Sequence, residues 1–244
     1  MSEDELEAIA RRYARREQAG AAARYSALRP EVWHTLQERQ RAMLRLFAQL
    51  GFSEPRALRV LEVGCGSGGN LLELLRLGFA PEHLSGVELL PERLAQARHV
   101  LPAAVQLHAG DASTLACAAH SQHIVLQATV FSSLLDDAFQ ARLAAAMWAW
   151  VAPGGGVLWY DLSMNNPRNA DVRGVPLKRV RALFPQARVR SRRVTLAPPL
   201  ARAACRIHPT LYPVLNALPL LRTHVLAWLE KAGPGRSDEH GVDP

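Results

Sequence analysis

The chain has 244 residues, of which 49% are apolar, and carries a formal net charge of +7. This length and composition suit one α/β domain with additions. Its three cysteines are scattered without metal-ligand spacing, which excludes a disulfide framework, predicts no metal site and favours a reducing compartment. The first residues, MSEDE, are acidic, and no apolar run of about 18 residues follows them, so we expect neither a signal peptide nor a transmembrane helix.

The first fifty residues predict a helical extension. Residues 1–20 are typical of a charged helix, and residues 30–50 of a longer amphipathic one that Gly51 ends. The apolar positions of the second helix fall near helical spacing; they are Val32, Leu36, Met43, Leu46, Phe47 and Leu50.

From residue 58 onward the pattern alternates between strand and helix, which predicts a parallel sheet with helices on both faces. The predicted strands are 58–63, 84–87, 105–108, 124–128 and 156–161. The predicted helices are 70–78, 91–100, 113–119 and 136–151.

After residue 161 the pattern changes. A polar loop leads to a predicted helix over 177–184 and a strand over 188–196. Residues 221–229 fit either a strand or a helix. Residues 197–220 contain five prolines and are interpreted as an insertion, and residues 232–244 as a disordered tail.

The most informative motif lies at the end of the first predicted strand. Glycines 64, 66 and 68 follow Val60–Val63 and precede a helix that starts near Asn70. Glycines allow a sharp turn and a close approach of the backbone to a ligand. Glu88 ends the second predicted strand twenty-four residues after Gly64, and Asp111 ends the third.

The pattern E-x-G-x-G-x-G from Glu62 to Gly68, together with the two later acids, resembles the class I S-adenosylmethionine (SAM) dependent methyltransferases over residues 55–160. The dinucleotide pattern G-x-G-x-x-G also fits Gly64, Gly66 and Gly69. A dinucleotide has a pyrophosphate that suits a helix N-terminus, whereas SAM has none and its cationic groups favour nearby acids. The acids therefore favour SAM.

The resemblance implies a Rossmann-like seven-stranded sheet, mostly parallel with the last strand antiparallel, and helices on both faces. Residues 1–50 would form an N-terminal helical lid in which Tyr13 and Tyr25 are candidates to cover the cofactor. The methyltransferase domain would span 51–231, with 197–220 as a substrate-side insertion before the last strand. A closing β-hairpin in this fold favours a strand over 221–229.

The resemblance also implies a set of cofactor-binding residues. The carboxylate of Glu88 would hold the ribose hydroxyls, and Asp111 would lie beside the adenine. The full set is Glu62, Gly64, Cys65, Gly66, Gly68, Asn70, Glu88, Leu89, Gly110, Asp111, Ala112 and Gln127.

Catalytic candidates are few, because methyl transfer from a sulfonium mainly requires alignment and exclusion of water. Asp161, at the end of the fifth strand, could orient or deprotonate an acceptor, or could instead cap the next loop. His208 could serve as a base, although a lone histidine more often has a structural role, and the same holds for His224. The predicted substrate-binding residues are Asn165, Asn166, Arg168 and Arg173; the asparagines could equally be turn formers.

Charge is concentrated late in the chain. Residues 168–206 contain eleven Lys and Arg residues and a single acid, Asp171. This basic segment precedes an apolar one, 207–229. The combination suits a phosphate-bearing substrate or an anionic lipid surface, and a solvated basic face is the alternative.

Residues beyond 161 are similar to methyltransferases associated with bacterial cell-surface polysaccharide synthesis. This resemblance implies a small-molecule or glycan acceptor, a sugar hydroxyl or amine on a phosphate-bearing carrier, in the cytoplasm or at the inner membrane face. The pI near 10.0 keeps an RNA methyltransferase as the alternative, although aromatic residues for base stacking make up only 6%. A non-catalytic SAM-binding module is a third reading, which the intact glycine loop and acids disfavour.

Overall fold

The structure is a computed structural model that describes residues 3–18, 20, 23, 25–165 and 169–233. These residues form a seven-stranded sheet in the order β3-β2-β1-β4-β5-β7-β6. The strands are β1 (Val60–Val63), β2 (Leu84–Glu88), β3 (Gln106–Ala109), β4 (Gln122–Ala128), β5 (Val151–Leu162), β6 (Arg188–Leu196) and β7 (Arg222–Glu230). The first five strands pair in parallel, whereas β7 lies antiparallel between β5 and β6. The predicted Rossmann-like fold is therefore confirmed.

The helices begin where the sequence supplies start signals. Proline occupies the first turn of three of them, a position where its missing N–H costs nothing, and Asp136 caps a fourth by accepting from the amide of Ala138 at 2.8 Å. The helices are α1 (Glu3–Gln18), α2 (Pro30–Gln49), α3 (Gly69–Arg76), α4 (Pro91–Val100), α5 (Asp137–Trp150), α6 (Leu177–Leu183), α7 (Pro198–Ile207) and α8 (Leu211–Asn216).

Two apolar layers cover the sheet. One contains Trp159 of β5 with residues of α1, α5 and α6, and the other contains Tyr160 with residues of α2, α3 and α4. Successive strand residues point to opposite faces, so the end of β5 presents Asp161 to the α5 layer and Tyr160 to the α2 layer.

The insertion before the last strand folds as α7 and α8. Tyr212 of α8 is buried, stacks on His34 of α2 at 5.1 Å between ring centroids, and its hydroxyl lies 3.1 Å from the Thr35 hydroxyl. The insertion is thereby held against the first turns of α2. Within the described residues no helix has the length and apolar character needed to cross a membrane.

Several element boundaries differ from the prediction. Residues 221–229 form the strand β7, as favoured, but the helix predicted over 113–119 is wrong. Only Ala112–Thr114 make a short 3-10 turn there, capped by the Asp111 carboxylate, which accepts from the amide and hydroxyl of Ser113, both at 2.8 Å. The helix does not continue because Leu115 is extended, with φ −62° and ψ 127°.

Candidate functional site

The glycine loop lies at the carboxyl end of β1. Gly64, Gly66 and Gly68 have φ values of +64°, +56° and +86°, which side chains with a Cβ adopt only with strain. The amides of Gly64 and Cys65 donate to the carbonyl of Val87 at 2.8 and 3.1 Å. This pairing fixes the loop against the end of β2.

Glu88 is tied directly to this loop. One carboxylate oxygen accepts from the amide of Gly66 at 2.8 Å, and the other from the amide of Leu90 at 3.0 Å. The side chain is buried. The structure therefore joins two of the predicted cofactor residues that stand 22 positions apart in the chain.

Glu62 is a buried carboxylate beneath the same loop. Its Oε1 accepts from Asn70 Nδ2 at 2.6 Å, and its Oε2 has no hydrogen-bond partner among the described residues. Burial raises the pKa of Glu62 to about 7. A buried carboxylate with an open acceptor position suits a cationic or N–H-bearing ligand group.

Asn70 links this acid to α2. Its side-chain oxygen accepts from Arg39 Nη2 at 2.7 Å, and the same nitrogen lies 3.5 Å from a carboxylate oxygen of Glu73. The Arg39 guanidinium also lies over the Tyr160 ring, 5.3 Å from its centroid. Arg39 therefore joins the glycine-loop acid to the end of β5.

The remaining predicted cofactor residues surround the loop at different depths. Gly110 follows β3 with a φ of +111° and donates to the carbonyl of Glu88 at 2.9 Å. Asp111 caps the turn that contains Ala112.

The other three predicted cofactor residues are in or beside the core. Gln127, fully buried, accepts from the amide of Val130 at 3.1 Å. Cys65 is buried, and its pKa is raised to about 12 by burial, whereas Leu89 packs at the edge of the core.

Helix α1 approaches the glycine loop through Tyr13 and Arg93. The guanidinium of Arg93 lies so near Gly66 that a Cβ at Gly66 would come within 2.6 Å of it. Arg93 in turn lies 5.1 Å from the Tyr13 ring centroid of α1. Tyr13 thus lies near the glycine loop, in the position that a lid residue requires. Tyr25 is 69% exposed and makes no comparable contact in the described part of the chain.

Three further contacts anchor α1 across the carboxyl ends of β4 and β5. Arg12 donates to Glu5 at 2.8 Å and to the carbonyl of Ser133 at 3.1 Å, and Glu5 accepts from the amide of Leu135 at 3.0 Å. Near the other end of the helix, Arg15 pairs with Asp171 at 2.7 Å.

A cleft opens between α2, α3 and the sheet, with an empty volume of about 350 Å³ that includes open solvent. Its polar lining consists of Arg39, Asn70, Glu73 and Tyr160; apolar side chains of β4, β5, β7 and the two helices complete it. Asn70 belongs both to this cleft and to the glycine-loop cluster. The two sites are therefore neighbours.

The Tyr160 ring is fixed from several sides. His224 of β7 stacks on it at 5.1 Å between centroids, and the hydroxyl lies 2.8 Å from that of Thr195. Burial lowers the pKa of His224 to about 4, so its imidazole is neutral near pH 7. Burial also raises the pKa of the Tyr160 phenol.

Asp161 is fully buried on the opposite face of the sheet. Its carboxylate accepts from the amides of Ser132 at 3.1 Å and Leu162 at 2.8 Å, and burial raises its pKa to about 6. This geometry favours the alternative in which Asp161 fixes a loop. The loop that it fixes follows β4.

The other acceptor-side candidates are dispersed. Asn165 closes a turn by accepting from the amide of Gly174 at 2.9 Å, and Arg173 pairs with Asp137 of α5. His208 is exposed in the insertion, where its ring lies 2.7 Å from the Thr210 hydroxyl. Asn166 and Arg168 lie outside the described residues.

Sequence reasoning missed Arg39, Arg93 and the role of the Tyr160 ring. Arg39 had a usable signal, because it falls on the apolar stripe of α2 between Leu36 and Met43, where a charge requires a partner. Arg93 had none, since its contact with Gly66 depends on how α4 meets the loop.

Comparison with protein families gives a match for residues 60–155 to the methyltransferase domain family. The match covers the glycine loop, Glu88 and Asp111, and it confirms the prediction of a methyltransferase enzyme. No curated protein sequence matches the chain.

Solved structures with the same fold include SAM-dependent methyltransferases. A SAM dependent methyltransferase from Archaeoglobus fulgidus is 13% identical with a TM-score of 0.56, over 82% of this chain and 99% of its own. An S-adenosylmethionine dependent methyltransferase from Mesorhizobium loti is 16% identical with a TM-score of 0.53, over 76% and 97%.

A third structure, phosphoethanolamine N-methyltransferase 2 from Haemonchus contortus, was solved in complex with SAM. It is 15% identical with a TM-score of 0.56, over 79% of this chain and 52% of its own. At these identities the likeness concerns the fold.

Proposed function

We propose that the enzyme transfers a methyl group from SAM to a small-molecule or glycan acceptor bound in the cleft between α2, α3 and the sheet. The observation that carries this proposal is the shared residue Asn70, which bonds Glu62 on the glycine-loop side and lines the cleft on the other. A donor held at the loop and an acceptor held in the cleft would be adjacent.

The loop side fits SAM in its chemistry. The open acceptor position on Glu62 Oε2 suits the ammonium of the methionine part. Glu88 is placed to receive ribose hydroxyls, since each of its oxygens keeps a second acceptor position after bonding the loop. Asp111 and the amide of Ala112, next along the same sheet edge, are the proposed contacts of the adenine.

The cleft side fits a compact acceptor. Its polar groups are few and held in place: Arg39 by Asn70 and Glu73, and Tyr160 by His224 and Thr195. Such a lining suits a sugar whose hydroxyls or amine are directed to Arg39, Asn70 and Glu73.

When bound, SAM supplies a methyl group on a good leaving group, so the chain has to align the acceptor and exclude water. Tyr160 and Arg39 would set the angle of approach, and α1 with Tyr13 would close the loop side. An amine acceptor must lose its proton before or during attack, and a hydroxyl acceptor benefits from a base. His224 is the neutral group behind Tyr160, and it positions that ring.

An activity screen tests the proposal. Purified enzyme with methyl-labelled SAM is offered sugar nucleotides, lipid-linked sugars and bulk RNA in separate reactions. We expect label in a sugar pool, and expect Tyr160→Ala to remove it while SAM still binds. Label in RNA alone would refute the acceptor class, and label in no pool together with absent SAM binding would refute the enzyme assignment.

A further inference from the structure

The insertion carries an unusual concentration of exposed apolar side chains. Among the described residues eleven large hydrophobic side chains are exposed, and five of them fall between positions 200 and 220. The four most exposed of these five are here named the apolar patch: Ile207 at 79%, Val214 at 63%, Leu218 at 54% and Leu220 at 86%. Trp33, half exposed, lies on the first turn of α2, next to His34 and Thr35, which Tyr212 of α8 contacts. Exposed patches of this kind mark interaction surfaces.

The surroundings of the apolar patch are basic. Residues 188–222 contain seven arginines and no Asp or Glu. Arg192 and Arg206 are exposed and have no side-chain partner among the described residues. Arg192 projects from edge strand β6 on the same face as Val194, because alternate residues share a face. This is the face that α2, α7 and α8 cover, so uncompensated charge accompanies the patch.

We infer that this surface docks the enzyme on an anionic lipid bilayer. Exposed aliphatic side chains in a short, arginine-rich segment, with an amphipathic Trp on the helix that packs against it, suit insertion among lipid chains and contact with anionic head groups. The patch residues are exposed by half or more, so they project from the surface and do not line a groove that would receive a partner's side chain. The absence of acids across 188–222 complements an anionic surface.

The docking surface lies near the cleft, so docking would bring the cleft close to a membrane-bound acceptor. Tyr212 of α8 contacts His34 and Thr35 of α2, and Arg39 of the cleft lies one turn further along the same helix. A bilayer under α7 and α8 would therefore lie beside the cleft. The idea that the acceptor is presented at a membrane surface rests on the proposed function. Docking itself does not, because vesicle binding is measured without any methyl transfer.

Vesicle co-sedimentation of the full chain tests the inference. The probes are phosphatidylcholine vesicles with and without phosphatidylglycerol, and SAM binding is measured in parallel by calorimetry. We expect binding to the anionic vesicles alone, weakened by 1 M salt. Leu218→Asn with Leu220→Asn should weaken binding about ten-fold or more, and Arg192→Gln with Arg206→Gln about five-fold for each charge.

The matched control is Leu44→Asn, an exposed apolar residue of α2 that is 45% exposed and lies three turns from Trp33. It should bind vesicles like the wild type, and every variant should bind SAM normally, which separates docking from the proposed function. Failure of the wild type to sediment with anionic vesicles would overturn the inference. Vesicle binding as tight as that of the wild type in both double variants would overturn it too. So would a wild-type dimer that the Leu218 and Leu220 changes dissociate, or RNA binding that competes fully with the vesicles.

Discussion

The two halves of the sheet differ in how their polar groups are used. On the β1–β2–β3 side, Glu88 bonds the glycine loop, Glu62 bonds Asn70 just after it, and the family match covers the region. On the β5–β7–β6 side, the Tyr160 hydroxyl lies 2.8 Å from that of Thr195, and residues 188–222 contain seven arginines and no acid. We propose that the first half binds the donor and that the second half selects the acceptor. Mutations should therefore separate donor binding from acceptor binding.

The largest effect is expected at Gly66, which lies at the centre of the first half. Gly66→Val would place a branched side chain at a φ of +56° and against Arg93. Strain of this kind costs about 1–3 kcal/mol before any clash with a ligand is added, so SAM affinity should fall roughly 100-fold or more. Calorimetry measures this fall.

Gly69→Ala is the matched control for Gly66→Val. A Cβ at Gly69 meets no atom within 4 Å, and its φ is not in the left-handed range. The control should bind SAM like the wild type and fold normally. Tight SAM binding by a folded Gly66→Val protein would show that the loop does not hold the cofactor.

Glu62→Gln should separate binding from stability. The pKa of Glu62 in the folded protein, about 7, lies above the usual 4.5. The stability that this raised pKa contributes is therefore fully present below pH 4.5 and is lost as the pH rises through about 7. Above pH 7 the wild type therefore keeps a buried charge that Gln lacks. The variant should be more stable by roughly 1–3 kcal/mol at pH 8 and little changed at pH 4.

The same substitution should weaken SAM binding about ten-fold, because an amide cannot replace the carboxylate opposite an ammonium. Wild-type affinity should decline as the pH falls below about 7, and the Gln variant should lack this dependence. Thermal unfolding and calorimetry across pH give both readouts. A variant that is less stable at pH 8, or that keeps the pH dependence, contradicts this role of Glu62.

Tyr160→Phe tests the second half. It removes the hydroxyl that contacts Thr195 and keeps the ring between Arg39 and His224. The expected result is a rise of a few-fold in acceptor KM, from a lost hydrogen bond of about 1 kcal/mol, with SAM affinity unchanged. A change confined to SAM affinity would place Tyr160 in the donor half.

The smallest effect is expected at Arg173. Its partner Asp137 is 66% exposed, and exposed pairs contribute about 0–1 kcal/mol. If Arg173 contacts a phosphate-bearing acceptor, Arg173→Gln should raise acceptor KM more than Asp137→Asn does. Equal small effects of the two substitutions on Tm, with KM unchanged in both, would leave Arg173 as a structural residue.

The first half was more predictable from sequence than the second. Strand ends with acids and a glycine turn are local signals, so most strand positions were predictable, and Glu62, Glu88 and Asn70 could be proposed as one site. The helix predicted over 113–119 is wrong because the chain becomes extended at Leu115, after the short turn that Asp111 caps. The apolar pattern of residues 221–229 fits both a strand and a helix, and only the pairing with β5 and β6 distinguishes the two.

The contacts of α1 and Arg39 could not be predicted in the same way. Arg12 reaches Ser133 across 121 residues, and Arg39 reaches Tyr160 through a packing arrangement that no periodicity encodes. Arginines in these positions could be recognised as charges needing partners, but the partner depends on the assembled fold.

The central claim is that the glycine loop with its acids binds SAM independently of the acceptor half. The most direct measurement is a calorimetric titration of SAM into the wild type and Glu88→Ala, with Tyr160→Phe as the control from the other half. The account predicts one site in the wild type, unchanged binding in Tyr160→Phe and at least about ten-fold weaker binding in Glu88→Ala, since unpaired polar groups cost about 1–3 kcal/mol. Equal affinity for all three proteins, or none for the wild type, would contradict it.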